Sequence, residues 1–155
     1  ERMIKLYNKG INFEKLKEGI RLVKETGIKT YGSFIIAGPT ETKEEIQQTI
    51  DFARSLKLDG VSFFIFVPYP NTKLRQLAFE HGKVSSDWAD YSAHNKKLAF
   101  VPNGFTEKEL LKIQRKAYMG FILRLNYIIK NWRIVFSLDF IKKSFGFLYK
   151  IRKKQ

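Results

Sequence analysis

Residues 31–72, YGSFIIAGPTETKEEIQQTIDFARSLKLDGVSFFIFVPYPNT, constrain the fold of this chain more than any other stretch. Two runs of β-branched, aromatic and other apolar residues, 32–37 and 60–67, flank one amphipathic helical pattern, and a Gly/Pro/Thr-rich turn follows each run. Strand, turn, helix, turn and strand in so short a span predict two parallel strands joined by a crossover helix. In open α/β sheets ligands bind in the crevice beyond the carboxyl ends of the strands. Those ends carry Gly38-Pro39-Thr40-Glu41-Thr42 and Pro68-Tyr69-Pro70-Asn71-Thr72, so these two turns are expected to line any site the chain possesses.

The flanking segments read as helices. Residues 1–7 suit the end of a helix closed at Asn8-Lys9-Gly10, with Gly10 as the C-terminal cap. Asn12 is placed to cap a helix from Phe13 to about Thr26, with Phe13, Leu16, Ile20 and Val23 on its apolar face and Gly27 as its stop. The run Phe34, Ile35, Ile36 predicts a strand buried on both faces, as in a parallel sheet. Thr42 and Glu45 form a capping box for a helix to about Leu56 whose inner face is Ile46, Ile50, Ala53 and Leu56. Pro68 and Pro70 end the second strand, since neither can donate to a ladder. Thr72 caps a short helix that stops near Gly82, and residues 85–103 look less regular, held to the domain by Trp88, Tyr91, Leu98 and Phe100. A second capping box, Thr106 and Glu109, opens a helix to about Lys130 with Leu110, Ile113, Ala117, Phe121, Leu125 and Ile128 on one face. Ser137 caps a last helix over residues 138–149, and residues 151–155 form a frayed basic end.

Two strands are too few for a parallel sheet that stands alone, so the missing neighbours are expected before Glu1. The chain does not begin with methionine, which adds to the expectation that it was cut from something longer. Its 155 residues suffice for one domain, and 44% hydrophobic and 15% aromatic content marks a globular chain. There is no cysteine, which excludes a disulfide framework and any cysteine-ligated cluster held by this chain itself. No apolar run reaches the roughly 18 residues of a spanning helix, and no signal peptide is visible.

The net charge of +14 is concentrated at one end. Residues 112–155 carry twelve Lys and Arg against a single acid, Asp139, which is +11 of the total. Three readings stand open for this tail. It is solvated charge on helices that pack on the domain. Or Phe136, Phe140, Phe145, Phe147 and Tyr149 beside Lys142, Lys143, Lys150, Arg152 and Lys153 meet an anionic membrane surface. Nucleic-acid binding is the weakest reading, because nothing but charge supports it. His81 and His94 have no partners at ligand spacing and read as surface residues.

Taken in order, Lys9-Gly10, Lys24-Glu25-Thr26-Gly27-Ile28, Gly32-Ser33-Phe34-Ile35-Ile36, Pro39-Thr40-Glu41-Thr42 and Pro68-Tyr69-Pro70-Asn71-Thr72 resemble the second half of a radical S-adenosylmethionine (SAM) domain. The family pattern there is a glycine, an apolar strand, Gly-x-Pro-Gly-Glu-Thr, and a later strand ending in Pro-Tyr-Pro-Gly-Thr. The likeness continues through Trp88, Tyr91, Lys116, Ala117, Tyr118, Phe121 and Arg124, and is greatest to cobalamin-binding radical SAM proteins of the anaerobic cyclase and methyltransferase type.

The resemblance implies an α/β fold, an incomplete (β/α) barrel of the partial TIM type followed by C-terminal helices. Residues 1–83 would be the C-terminal part of the barrel, 84–105 an irregular connector and 106–155 a basic helical extension. The cofactors implied are SAM, a [4Fe-4S] cluster whose Cys-x-x-x-Cys-x-x-Cys ligands lie outside this chain, and cobalamin in the parent protein. The cluster reduces SAM and releases a 5′-deoxyadenosyl radical for hydrogen abstraction or methyl transfer, so this chain is expected to be inactive alone. By resemblance, Ile35, Ile36 and Ala37 offer backbone and apolar contact to the adenine of SAM, with plain core as the alternative. Val67, Pro68 and Tyr69 flank it from the next strand, with a strand terminator and aromatic plug as the alternative. Glu41 holds a loop or a polar group of SAM, or is simply charge at a helix N-terminus. The partners expected are the N-terminal half of the same protein, a small-molecule or lipid-like substrate, and an anionic membrane surface. The location is cytoplasmic, with peripheral attachment at the inner membrane surface as what the tail would add.

This sequence departs from the family pattern at four places. Ala37 and Thr40 stand where glycines are usual, Gly38 where a larger apolar residue is usual, and Asn71 where the second turn has glycine. Asn tolerates a positive φ, whereas β-branched Thr40 would be strained. The turn after the first strand is therefore expected to be rebuilt.

Overall fold

The computed structural model describes residues 2–92, 97–124 and 128–129. They divide into two compact units, residues 1–118 and 119–155. In the first unit the order is α1 (Arg2–Leu6), α2 (Phe13–Glu25), β1 (Tyr31–Ile36), α3 (Lys43–Ser55), β2 (Gly60–Ile65), α4 (Lys73–His81), β3 (Gly82–Val84), a 3-10 turn (Trp88–Tyr91), β4 (Phe100–Pro102) and the start of α5 (Glu107–Ile122). The chain is α/β, and the described strands form no closed barrel.

β1 and β2 pair in parallel, from Tyr31 opposite Gly60 to Ile36 opposite Ile65. Their starts are pinned by Asp59, whose Oδ2 accepts from the Thr30 amide at 2.9 Å and the Thr30 hydroxyl at 3.0 Å. Partners across a ladder share a face. Phe34, Ile36, Val61, Phe63 and Ile65 lie on one face, buried or half-buried, while Tyr31, Ser33 and Ile35 lie on the other and are exposed. The expectation that β1 is buried on both faces is therefore corrected. Tyr31 is 76% and Ile35 36% exposed on that second face, and among the described residues β1 pairs with β2 alone. β2 fares differently. Gly60 and Phe66 donate their amides to Thr30 and Ile36, so the odd-numbered residues between them turn their peptide groups outward. There Gln114 of α5 donates its side-chain amide to the Phe63 carbonyl at 2.6 Å, satisfying one outward carbonyl of that edge.

The capping chemistry forms as read. Asn12 Oδ1 accepts from the Lys15 amide at 3.0 Å. Thr42 and Glu45 exchange reciprocal bonds of 3.0 and 3.2 Å, and Thr106 and Glu109 do the same at 2.8 and 3.2 Å. Thr72 Oγ1 accepts from the Arg75 amide. The end of α1 differs from expectation: Asn8, not Gly10, takes the left-handed conformation, with φ of 51°. Asn is the ordinary residue most tolerant of it.

The stretch expected to be an irregular connector carries structure at both ends. β3 and β4 pair antiparallel, Gly82 with Pro102 and Val84 with Phe100. Strands of three residues are too short to show period-two alternation. Phe66, Ala78 and Phe100 form a buried cluster here, packed by Tyr7, Leu74 and Val84. Tyr91 and Phe100 are buried as expected, but Trp88 is 62% exposed. α5 ends at Ile122 rather than near Lys130.

In the second unit Leu123 donates its amide to Met119, and the Arg124 guanidinium lies over the Phe121 ring at 3.7 Å. The helix expected at 138–149, His94 and the aromatic and basic residues of the tail lie outside the described residues. Among the described residues no helix is long and apolar enough to cross a membrane.

Candidate functional site at the carboxyl ends of two parallel strands

Because β1 and β2 run parallel and in register, residues 37–41 and 66–71 leave the sheet at the same end. α1 sits on this end. A Cβ on Gly38 would lie 2.0 Å from the hydroxyl of Tyr7, just after α1, and 3.0 Å from Met3 Cε, so any larger residue would have to displace the Tyr7 side chain. Tyr7 continues onto Phe66, with ring centroids 6.1 Å apart. The glycine in place of a larger apolar residue is thus explained by the tyrosine that occupies its space.

The turn backbone answers the other departures. Ala37 and Thr40 have φ of 61° and 65°, and Asn71 has φ of 59°. All three are left-handed at the positions where the resembling motifs carry glycine. The expected rebuilding of the first turn is not what the structure holds; the turn keeps the positive φ and accepts the strain, about 1–2 kcal/mol for an L-residue. Thr40 is braced for it. Arg2 of α1 donates to the Thr40 carbonyl at 2.7 Å and to its hydroxyl at 3.0 Å, and grips Glu45 with two bonds of 2.6 and 2.5 Å. Glycine at position 40 would have no hydroxyl for this clamp. Those bonds from Arg2 hold the Glu45 carboxyl down to about 2.

Glu41 faces inward and is 4% exposed. One carboxylate oxygen accepts from the Gly38 amide at 2.9 Å, closing the turn on itself. Burial, opposed by that bond, pushes the Glu41 carboxyl up to about 7. The Tyr7 hydroxyl, buried without a hydrogen-bond partner, is also raised, by burial first and by Glu41 second.

The structure places the seven residues singled out above in three kinds of environment. Ile36 and Ala37 are fully enclosed. Ile35 is 36% exposed on the open sheet face, in register with half-buried Phe64. Beyond β2, Val67 is half-buried, Pro68 buried and Tyr69 exposed. Of the seven, Ile35, Val67 and Tyr69 are the ones left partly or largely open, each apolar or aromatic. Glu41 is turned to its own loop. Sequence reasoning missed Arg2, Tyr7 and Arg75, because their partners here are distant in sequence. Arg75 of α4 donates to the Pro68 carbonyl at 2.8 Å and to the Tyr91 hydroxyl at 2.9 Å, holding the second turn.

No three His, Cys, Asp or Glu side chains among the described residues could together hold a metal ion. With no cysteine in the sequence, the chain's residues do not fit a [4Fe-4S] cluster.

No protein-family profile matches the chain. It is 34% identical over 131 residues to an uncharacterized methyltransferase of Pyrococcus horikoshii, covering 84% of this chain and 28% of that protein. A putative methylthiotransferase of Methanocaldococcus jannaschii is 40% identical over 83 residues, covering 54% of this chain and 18% of that protein. The anaerobic magnesium-protoporphyrin IX monomethyl ester cyclase of Cereibacter sphaeroides is 29% identical over 129 residues, covering 83% and 20%. The chain spans less than a third of the length of each of these relatives. Over the residues it spans, it belongs to the radical SAM family, in the group of methyltransferases, methylthiotransferases and anaerobic cyclases.

Proposed function

We propose that this chain is the part of a radical SAM protein that borders the adenine side of SAM and covers the substrate, as the last two strands of a partial (β/α) barrel. The observation that carries the reading is the backbone of the two turns. Ala37, Thr40 and Asn71 hold positive φ where the family motifs have glycine, at the ends of two parallel strands. The open face of β1, its unpaired second edge among the described residues, and a cleft of about 1270 Å³ between α2, β1 and α3 are where the N-terminal half of the barrel would join.

Within this reading Ile35, Val67 and Tyr69 give the adenine an apolar wall, and peptide groups of the turns supply its polar edge. Arg2 and Glu41 keep the first turn in shape. A [4Fe-4S] cluster would be held by cysteines outside this chain and would supply the reducing electron that SAM cleavage needs. Cobalamin, in a parent of the methyltransferase kind, would be held by residues outside this chain. The substrate class is small-molecule or lipid-like, modified by methyl transfer or by cyclisation after hydrogen abstraction.

The test is to sequence the coding DNA upstream of Glu1. The expected result is an open frame running back into a Cys-x-x-x-Cys-x-x-Cys motif after an apolar strand. A frame that begins without that motif overturns the proposal.

A further inference from the structure

Arg75 has more partners than a cap-proximal helix residue needs. Its guanidinium is planar, always charged and able to donate in two directions at once. One nitrogen donates to both the Pro68 carbonyl and the Tyr91 hydroxyl, and that hydroxyl donates onward to the Ser85 carbonyl at 2.9 Å. Three aromatic rings surround the guanidinium carbon: Phe79 at 5.2 Å, Tyr91 at 5.5 Å and Trp88 at 5.6 Å. Trp88 and Tyr91 also pack together, with centroids 4.8 Å apart. Trp88 and Phe79 remain largely exposed, so their contact with Arg75 is not a by-product of core packing.

The turn that Arg75 grips is weakly held otherwise. Between Pro68 and Thr72 the other described bonds are a tight Tyr69-to-Val67 turn, the Thr72 hydroxyl donating to the Tyr69 carbonyl, and the Arg75 amide donating to the Thr72 carbonyl and hydroxyl; Asn71 adds a left-handed residue. The 85–91 segment has its own polar knot. Asp90, 6% exposed, accepts from the Ser85 hydroxyl at 2.5 Å and from Lys97 at 3.2 Å. Arg75 thus joins a lightly restrained turn to a well-tied segment. Both hydrogen bonds are charge-assisted, and the aromatic faces hold the guanidinium in place for them.

We propose that Arg75 is a positioning residue: it fixes the 68–71 turn against the 85–91 segment, so that occupation of the turn by the adenine end of SAM is felt at Trp88 and Tyr91. This rests on the SAM reading above. Both bonds come from one nitrogen, and a lysine ammonium has three donors to offer them, but it lacks the planar guanidinium that lies against Phe79, Tyr91 and Trp88, so Arg75→Lys should behave as a partial loss.

The experiment is amide hydrogen exchange on the full-length protein that carries this chain, as wild type, Arg75→Lys and Arg75→Met, with and without S-adenosylhomocysteine. Protection in α3, far from Arg75 in sequence, reports that each variant is folded. Without ligand, exchange at 69–72 and 88–92 should rise roughly tenfold or more in Arg75→Met, with a smaller rise in Arg75→Lys. With ligand, both segments should slow in wild type, whereas in Arg75→Met the slowing should be confined to the turn. A merely structural arginine would raise basal exchange without uncoupling the ligand response. Equal ligand protection of 88–92 in wild type and Arg75→Met, or unchanged basal exchange, overturns the proposal. If the basal effect holds but S-adenosylhomocysteine protects neither segment even in wild type, the brace stands and the SAM reading fails.

Discussion

α2 and α3 carry the same signature in sequence, a 13-residue amphipathic helix opened by a side-chain cap, yet they pack differently. In α3, Ile46, Ile50 and Ala53 are 1%, 4% and 0% exposed. α2 buries no residue, and Leu16 and Val23 on its apolar face are 36% and 39% exposed. α2 is attached at its ends. Phe13 meets Phe52 edge-on at 4.9 Å, and Lys24 donates to the Lys57 carbonyl. Between those anchors lies the cleft against β1. α3 packs on β1, whereas the apolar face of α2 borders the cleft. Periodicity tells which face of a helix seeks cover; a packed neighbour has to provide it.

The largest test of that contrast is truncation. Ile50→Ala should cost roughly 2–5 kcal/mol, the range for a buried aliphatic that leaves a cavity. Leu16→Ala should cost under about 1 kcal/mol in this chain by the area it still exposes. Denaturant unfolding checks both. If the upstream barrel covers α2, the cost of Leu16→Ala should grow past about 2 kcal/mol in the longer protein. An equal and large cost in the 155-residue chain would break the comparison.

The second test uses the buried carboxyl of Glu41 just before α3; the acid in the first turn of α2, Glu14, is exposed. Glu41 has an ordinary value of 4.5 and is raised to about 7 in the fold. The folded state therefore holds its proton more tightly than the unfolded state. This contribution is complete below 4.5 and is lost as pH rises through 7, by on the order of 3 kcal/mol. Glu45 has the opposite sign: held at about 2, its contribution is complete above 4.5 and lost as pH falls toward 2. Stability measured between pH 4.5 and 8 should fall in wild type and lie flatter in Glu41→Gln. Parallel profiles would show that Glu41 is not the group.

Thr40 sharpens the point about strain. In an Arg2→Ala background, Thr40→Gly should stabilise by about 1 kcal/mol, because the left-handed residue is relieved and no clamp remains to lose. With Arg2 present the gain should be smaller. Equal gains would mean that Arg2 does not brace the turn. The smallest effect is expected in α2: Asn12→Ala should speed amide exchange in its first turn while leaving the melting temperature of the chain within error, since α2 contributes little to the core. A clear fall in that temperature would place α2 in the cooperative unit.

The local grammar of the chain was readable because it is local. Asn12, Thr42, Thr72 and Thr106 cap helices with partners three residues away, and Ile46, Ile50 and Ala53 mark a face by spacing alone. The positive φ of Asn71 and the strain at Thr40 were legible because few residues tolerate that conformation. What relieves the strain was not: Arg2 reaches Thr40 and Glu45 across 38 and 43 residues. Nor was the pairing of β3 with β4, whose three residues each carry no periodicity.

The sequence by itself determined the strand, helix, strand unit, its caps, the two turns that close it and the family those turns resemble. All of these rest on backbone preferences and neighbours a few residues apart. Only the tertiary structure decided that Tyr7 takes the place of a side chain at Gly38, that Glu41 turns inward to its own loop, that Ile35 faces outward while Ile36 is enclosed, and that Arg75 ties one turn to a segment 16 residues on. Those outcomes depend on which distant surfaces meet, and burial, desolvation and bidentate hydrogen bonding act only once they have met.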